Sequence, residues 1–406
     1  MPRKYIPLIV VLVAIVGFVV FQKTKEQPVG GDTTPPPELL QRGEPHQQTI
    51  QLADGTRFSV TLPDGYTMMP AYQGLKRIRF MAWSPDGRLF MTDMKDLSDN
   101  SEGKVYVLQD FDAVAGRFKT IRTYLANLRN PNSIAFYKDR QGQQWLYVAL
   151  TDHLVRYRYS AGDNAPTGDP QILATFPDYG LSYKYGGWHL TRTIAIQNDK
   201  IYVSVGSSCN ACEEKPEETR AEIVVMNPDG SDLRTYADGL RNAVGLKFVG
   251  NDLWATGMGV DHLGDDEPND LLYRIGEGTN HGWPHCYESD GRIYPDTTKS
   301  WKEKIVCTQQ ILAQAEFEAH SAPLGLEYFG DAFLVALHGS GNMKLNRGNK
   351  IVKVMPDGRV SDFITGFGNA TKRYARPADI LADPTHPGSF FFTDDFGGTL
   401  YYVQKQ

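Results

Sequence analysis

The chain has 406 residues and a formal net charge of −6, and 41% of its residues are hydrophobic. This length and composition are those of a globular protein with a full hydrophobic core. The slight acidity, without any run rich in lysine and arginine, argues against a nucleic-acid partner. The 39 glycines and 24 prolines favour strands and turns over long helices.

The N-terminus predicts a membrane anchor. Arg3 and Lys4 precede an uncharged apolar run from Tyr5 to Phe21, close to the roughly 17–25 residues that a bilayer span needs. No small-x-small cleavage site or lipobox cysteine follows, which favours an uncleaved signal anchor at 1–24 over a cleaved signal peptide. Basic residues stay in the cytoplasm, so the rest of the chain is predicted to be periplasmic or extracellular. Residues 25–44, rich in proline and glycine, are predicted to be a linker.

Residues 45–406 repeat one pattern, a turn followed by a short alternating strand. The pattern recurs in the segments that begin near Trp83, Tyr137, Ile194, Leu246, Leu326 and Ile380. Apolar residues at period two predict half-buried strands, and a strand-only repeat of about 55 residues is typical of a propeller. The sequence therefore predicts an all-β fold after the N-terminal transmembrane helix, a six-bladed β-propeller of four-stranded antiparallel blades. A series of β-sandwiches is the alternative.

The ends of this domain are predicted to meet in one blade. The final strand GTLYYVQKQ and the early segment QTIQLADGTRFSV would share that blade and close the ring. The longest gap between repeats would be a loop excursion that holds Cys286 and Cys307. Four cysteines in an exported domain suggest disulfides, and we favour the local pairs Cys209–Cys212 and Cys286–Cys307, with a zinc site as the competitor.

Polar residues that lie just before the innermost strands, or just after the strands that follow them, would meet at one end of the propeller axis. They are mostly cationic, although the protein is acidic, which indicates an anionic ligand. The candidates are His189, Arg192, Arg241, Asn242, His338, Lys350 and Arg376. The nearby segment GVDHLGDDEPND suggests calcium, because carboxylates and backbone carbonyls are its usual ligands. Asp265 and Asp266 could equally cap a turn.

Several motifs occur together and in order: GGWHLTRTI, VGSSCNAC, GLRNAVGL, DHLGDDEPND, NHGWPHCY, AHSAPLGLEY, ALHGS and RPADI. With them the chain resembles the pyrroloquinoline-quinone (PQQ)-dependent glucose/sorbosone dehydrogenases, which include soluble aldose sugar dehydrogenases. The resemblance implies oxidation of an aldose at C1 to the lactone, with PQQ and Ca²⁺ as cofactors. It also implies a separate electron acceptor, such as a quinone, a cytochrome or another redox protein. Electrons need such a partner because Glu213 stands where a C-x-x-C-H haem motif would have histidine.

The resemblance also implies residue roles. His189 would be the general base, and Arg241 would polarise the quinone C5 oxygen as charge develops there. Asn242 would border quinone and substrate, and Arg376 would pair with a quinone carboxylate. Arg192 would be a further cofactor contact, and the fifth blade would supply a basic residue, with His338 and Lys350 as the candidates. The metal ligands would include the backbone carbonyls of Gly259 and Val260, together with Asp265 and Asp266.

The chain departs from the family pattern near this site. Gly341 follows HGS where tryptophan is common, and Gly257 and Val260 replace an acidic-type residue and an arginine. Two other functions remain open. One is a metal-dependent propeller lactonase or hydrolase, and the other is a propeller that binds a ligand without catalysis.

Overall fold

The computed structural model describes residues 43–177, 189–213, 219–303 and 306–406. The predicted anchor at 1–24 and nearly all of the predicted linker lie outside these residues. Within the described ranges, no helix combines the length and apolar character needed to cross a bilayer.

The described chain is built almost entirely from strands. The first fifteen are β1 (His46–Gln51), β2 (Arg57–Leu62), β3 (Tyr66–Tyr72), β4 (Ile78–Trp83), β5 (Leu89–Asp93), β6 (Gly103–Asp112), β7 (Arg117–Leu128), β8 (Ser133–Lys138), β9 (Gln144–Ala149), β10 (His153–Tyr159), β11 (Thr167–Thr175), β12 (Arg192–Gln197), β13 (Lys200–Val205), β14 (Glu222–Met226) and β15 (Arg234–Asp238). The later ones are β16 (Ala243–Val249), β17 (Asp252–Gly257), β18 (Asp270–Ile275), β19 (Thr279–Asn280), β20 (Cys286–Ser289), β21 (Arg292–Pro295), β22 (Ala315–Phe317), β23 (Pro323–Phe329), β24 (Ala332–Leu337), β25 (Lys350–Val354), β26 (Val360–Ile364), β27 (Pro377–Ala382), β28 (Phe390–Asp394) and β29 (Thr399–Lys405). Short 3-10 helices lie at Cys307–Gln309 and Met343–Leu345.

These strands form the six blades that the repeat predicted. In order, the blades are β4–β7, β8–β11, β12–β15, β16–β18 with β22, β23–β26, and β27–β29 with β3. The innermost strands β4, β8, β12, β16, β23 and β27 contact one another in a closed cycle. The third blade gains β19, which pairs parallel to β15. The prediction of a six-bladed propeller with four-stranded antiparallel blades is therefore confirmed, with one two-residue addition.

Alternating apolar residues form a hydrophobic core between each pair of neighbouring blades. Phe90 and Val148 meet between the first two blades, for example, and Tyr147 and Val203 meet between the second and third. Each fully buried side chain of this size stabilises the fold by about 1.5–3 kcal/mol. Each blade buries both of its faces against the two blades beside it, so the stability of every blade depends on the closed ring.

The predicted partner of the C-terminal strand is wrong. β29 pairs with β3, whereas β1 and β2, which hold the predicted segment, pair with each other as a hairpin. The hairpin packs Ile50 and Phe58 into the core between the fifth and sixth blades. Thr61 of β2 also exchanges two backbone hydrogen bonds with Thr365, just after β26. The hairpin therefore lies against the fifth blade, and the next strand along the chain, β3, completes the sixth.

Threonines fix where the innermost strands begin. The hydroxyl of Thr256 on β17 accepts the Gly245 N–H at 2.7 Å and donates to the Leu324 carbonyl of the next blade at 2.8 Å. Thr92 and Thr393 make the same pair of bonds in the first and sixth blades. These bonds join neighbouring blades at the strand starts and so set the positions of the residues just before them.

The excursion after β18 folds over the propeller. It contains the hairpin β20–β21 and is closed by the Cys286–Cys307 disulfide. A second disulfide joins Cys209 to Cys212. Both predicted pairs are confirmed.

Candidate functional site

An open pocket of about 230 Å³ lies where the fourth, fifth and sixth blades present the starts of their innermost strands. Its lining comes from residues just before β16, β23 and β27 and just after β17 and β24. It includes Arg241, Met258, Gly259, Val260, Asp261, Asp270, His320, His338, Gly339, Ser340, Gly341 and Arg376. Five of the residues singled out from the sequence are among them: Arg241, Gly259, Val260, His338 and Arg376.

His189 stands beside this pocket in a left-handed backbone conformation, with φ 48°. Its Nδ1 lies 2.8 Å from the Ser207 carbonyl oxygen, so Nδ1 carries the proton and the Nε2 lone pair is the basic one. Burial and the nearby Arg241 hold the pKa of His189 well below its ordinary value, so the imidazole is neutral. A neutral imidazole with a basic Nε2 is a competent proton acceptor.

Close packing fixes His189 against Asn242. A Cβ added to Gly206 would lie 2.6 Å from both His189 Cβ and Asn242 Oδ1. The Asn242 Nδ2 donates to Met258 Sδ at 3.4 Å. Asn242 Oδ1 is buried and receives no hydrogen bond from the described part of the chain. A buried polar atom of this kind calls for a ligand or ordered water.

Arg241 is the buried cation of the pocket, with 5% of its side chain exposed. Its Nε donates to the Asn210 carbonyl at 3.0 Å, and one terminal nitrogen donates to Asn210 Oδ1 at 2.9 Å and to Asp261 at 2.7 Å. Burial lowers the pKa of Arg241, while Asp261 and Asp270 act in the opposite direction. The guanidinium is thus held charged and in a fixed orientation.

A second cationic residue, Arg376, also lines the pocket. The Arg376 Nε donates to the His338 carbonyl at 3.0 Å, and its guanidinium also donates to the Gly339 carbonyl. The imidazole of His338 meets the fully buried Asp395 at 2.6 Å. Asp395 also pairs with Arg79 at 2.6 Å and Arg77 at 2.9 Å. Burial and Arg376 lower the pKa of His338 to about 3, while Asp395 opposes that shift.

Among the polar candidates, Arg241, His338 and Arg376 line the pocket, and His189, Asn242, Arg192 and Lys350 do not. Arg192 and Lys350 are engaged elsewhere. Arg192 is 0% exposed, and its guanidinium donates to the carbonyls of His189, Thr191 and Pro177. It therefore holds the His189 segment in place. Lys350 lies on β25 and pairs with Asp362 at 2.8 Å, in a separate surface groove. Neither arrangement presents a free cation to a pocket ligand.

The proposed metal ligands do not converge. Gly259 and Val260 line the pocket, but Asp266 is 86% exposed and pairs with Arg347. The Asp265 carbonyl accepts from the same arginine. Across the residues that the structure describes, no cluster of three or more histidine, cysteine or acidic side chains could hold a metal ion. Only the two backbone positions remain at the pocket.

The sequence analysis missed several residues that shape the site. Asp261 bridges Arg241 and faces His320 Nδ1 at 3.7 Å, and Asp395 anchors His338. Asn210, between Cys209 and Cys212, holds Arg241. The sequence could have indicated Asn210, because a residue inside a short turn closed by a disulfide is held in a restricted position. Asp395 lies in TDDFGG beside other acidic residues, and nothing in the sequence distinguished it.

The fold agrees with that of known enzymes. The structure described as the calcium structure of Trichoderma reesei Carbohydrate-Active Enzymes Family AA12 shares 19% identity, covers 86% of this chain and 97% of that chain, and gives a TM-score of 0.70. The holo form of the pyranose dehydrogenase PQQ domain from Coprinopsis cinerea shares 18% identity and covers 86% of this chain and 98% of that chain, with a TM-score of 0.71. The PQQ-bound aldose sugar dehydrogenase from Streptomyces coelicolor shares 17% identity and covers 84% of this chain and 99% of that chain, with a TM-score of 0.59. At these identities the likeness establishes the fold.

Sequence comparison gives the family. An uncharacterized protein of Borreliella burgdorferi is 31% identical over 252 residues, which are 57% of this chain and 64% of that protein. The chain thus matches less than two thirds of that relative's length. The TrAA12-like family matches residues 60–406. Because this match spans the whole propeller, the chain belongs to the TrAA12-like family, and the family resemblance predicted from the motifs is confirmed.

Proposed function

We propose that this protein is a PQQ-dependent sugar dehydrogenase that oxidises an aldose at C1 to the lactone. Membership of the TrAA12-like family supports an oxidoreductase. The names of the structural neighbours from Coprinopsis cinerea and Streptomyces coelicolor support PQQ and a sugar substrate. The observation that carries the proposal is the neutral imidazole of His189 beside the buried guanidinium of Arg241.

The pocket suits an anionic, flat cofactor. Arg241 and Arg376 both line it, and guanidinium groups bind carboxylates well. The buried Oδ1 of Asn242, the residue after Arg241, accepts no hydrogen bond from the described part of the chain. These residues would hold PQQ, with Arg376 toward a carboxylate and Arg241 toward the reacting carbonyl. The bound quinone would supply the two-electron acceptor for the substrate hydride.

The chain's own residues would provide proton transfer and charge stabilisation. His189 Nε2 takes the proton from the sugar C1 hydroxyl, and the Ser207 carbonyl keeps the required tautomer. Arg241 stabilises negative charge that develops on the acceptor side of the pocket. Burial of both groups strengthens these interactions, because the local dielectric is low.

The proposal also includes a bound calcium ion. The calcium structure of the Trichoderma reesei relative supports it, and the backbone carbonyls of Gly259 and Val260 are its candidate ligands here. Asp265 and Asp266 do not fit as further ligands in the observed arrangement, since they engage Arg347 on the surface. We assign no step of the reaction to the ion.

Localisation and partners also belong to the proposal. The apolar run from Tyr5 to Phe21 supports a membrane anchor, with the propeller outside the cytoplasm. The disulfides Cys209–Cys212 and Cys286–Cys307 agree with an oxidising compartment. Electrons would leave to a separate quinone, cytochrome or other redox protein.

The deciding experiment uses the full chain in detergent. It is titrated with PQQ in the presence of calcium or of a chelator, and a panel of aldoses is added with an electron-accepting dye. Dye reduction that requires PQQ would support the proposal, and its loss on chelation would support calcium. Absence of PQQ binding would overturn it in favour of a lactonase or a binding module.

Removing Arg376 tests the cofactor site directly. Arg376→Ala is expected to weaken PQQ binding about 10–100-fold, because a hydrogen bond to a charged group contributes about 1.5–3 kcal/mol. Binding is measured by fluorescence titration, with the thermal midpoint recorded to verify folding. Arg359→Ala is the matched control, since Arg359 is exposed and pairs with Asp357 in the turn before β26. Equal affinity in Arg376→Ala and the parent would remove Arg376 from the site.

A further inference from the structure

One short turn contacts both proposed reactive groups. This cystine turn, Ser207–Cys212, follows β13 and is closed by the Cys209–Cys212 disulfide. Its Ser207 carbonyl accepts from His189 Nδ1 at 2.8 Å, and the Ser207 hydroxyl donates to the Cys209 carbonyl at 2.6 Å. Its Asn210 accepts from Arg241 through both the carbonyl and Oδ1. Through these hydrogen bonds, the turn therefore fixes the position of the His189 imidazole relative to the Arg241 guanidinium.

The excursion holds this turn from the other side. Trp283 Nε1 donates to the Asn210 carbonyl at 3.1 Å, and Lys299 donates to the Ala211 carbonyl. Ala211, Val260 and Trp283 share a small apolar core. Asn210 is thus fixed by contacts on both sides.

We propose that Asn210 is a positioning residue that, through the cystine turn, sets Arg241 in register with His189. The inference rests on the proposed function for its catalytic consequence, although the positioning itself belongs to the protein without cofactor. Asn210 touches neither substrate nor cofactor in this account and acts only through Arg241.

The contacts around Arg241 show why Asn210 is needed. The partners of the guanidinium include Asn210 Oδ1 and Asp261, and Asp261 is 54% exposed. Asn210 Oδ1 also accepts from the Asp261 backbone N–H at 2.9 Å, which holds that carboxylate in place. Without Asn210 Oδ1, Arg241 keeps the bond from Nε to the Asn210 carbonyl, but its terminal nitrogen and the Asp261 N–H both lose the acceptor that they share, so the guanidinium and Asp261 shift together. A displacement of about 1 Å in a reactive group can cost about 10²-fold in rate.

The same displacement changes His189 in a measurable way. Arg241, Arg192 and Arg220 all face the imidazole, and their positive charges disfavour its protonated form. When Arg241 moves away, the pKa of His189 rises toward its ordinary value. A loss of stability alone does not move this pKa in a folded protein.

Asn210→Ala is tested first without PQQ, by following the His189 ring resonances against pH by NMR. The parent imidazole is expected to stay neutral to a lower pH than that of the variant. Asn227→Ala is the control, because Asn227 lies in the turn between β14 and β15 and bonds Lys200 and Ser231. Identical titration of His189 in parent and Asn210→Ala would overturn the inference.

Kinetics add a second readout. Asn210→Ala is expected to lower kcat about 10–100-fold with little change in KM, and to move the acidic limb of the pH profile upward. If that variant does not fold, the double variant Cys209→Ser/Cys212→Ser opens the turn and should give the same upward shift; no shift overturns the inference. An inactive parent with the NMR shift present would defeat the proposed function and leave the positioning intact. An active parent without the shift would defeat the positioning alone.

Discussion

Replacing His189 with alanine is expected to lower kcat by about 10²–10⁴-fold, the usual contribution of a positioned general base. The Ser207 carbonyl holds the imidazole as the tautomer with a basic Nε2, and burial with Arg241 keeps it neutral. Alanine removes the proton acceptor and leaves the cationic pocket walls in place. PQQ binding should therefore change far less than turnover.

Steady-state kinetics with a saturating sugar and a PQQ titration measure the two effects separately. His386→Ala is the matched control, because His386 is partly exposed and bonds Asp383 in the loop between β27 and β28. The control should keep parental kcat. Parental turnover in His189→Ala would refute the assignment of the base, whereas loss of PQQ binding would make His189 a cofactor ligand.

Asp395→Asn is expected to destabilise the protein by about 3–5 kcal/mol, because it leaves the buried Arg79 without its counter-charge. Asp395 is fully buried and meets Arg79, Arg77 and His338. His338 and the two arginines hold the pKa of Asp395 well below its ordinary value. A carboxylate with a depressed pKa stabilises the fold above its unfolded pKa, so the full loss appears at neutral pH and shrinks only in acid.

Thermal unfolding at neutral pH measures this loss as a drop in the midpoint. Asp357→Asn is the control, because Asp357 is exposed and pairs with Arg359 within its own turn. An exposed pair of this kind contributes about 0–1 kcal/mol. If both variants unfolded at the parental temperature, the buried network would not stabilise the fold as its geometry indicates.

The fold was predictable because a propeller repeats its signal. Each blade contributes the same alternating strands and turns, so six weak patterns reinforce one another. Ring closure was less predictable. The sequence predicted that the segment of β1 and β2 would pair with the final strand, whereas those two strands pair with each other and β3 is the partner of β29.

The residues that line the pocket could be predicted where their position along the chain, at a strand end, is enough to place them. Arg241, His338 and Arg376 lie at the ends of inner or second strands and reach the pocket. Arg192 and Lys350 are also near strand starts, but their orientation depends on local partners. Arg192 turns back to carbonyls of its own segment, and Lys350 meets Asp362 on the next strand. Sequence spacing does not encode such side-chain choices.

The pairing of β29 with β3 has a consequence for synthesis. β3 is made early, and it has no partner in its blade until Thr399–Lys405, more than 300 residues later along the chain, pair with it. A chain that lacks Thr399–Lys405 has unpaired edges on both β28 and β3. Two such chains expose matching edges to each other, which favours exchange of strands between copies and aggregation. Loss of this one strand is therefore expected to be far more damaging than the loss of equally few exposed residues.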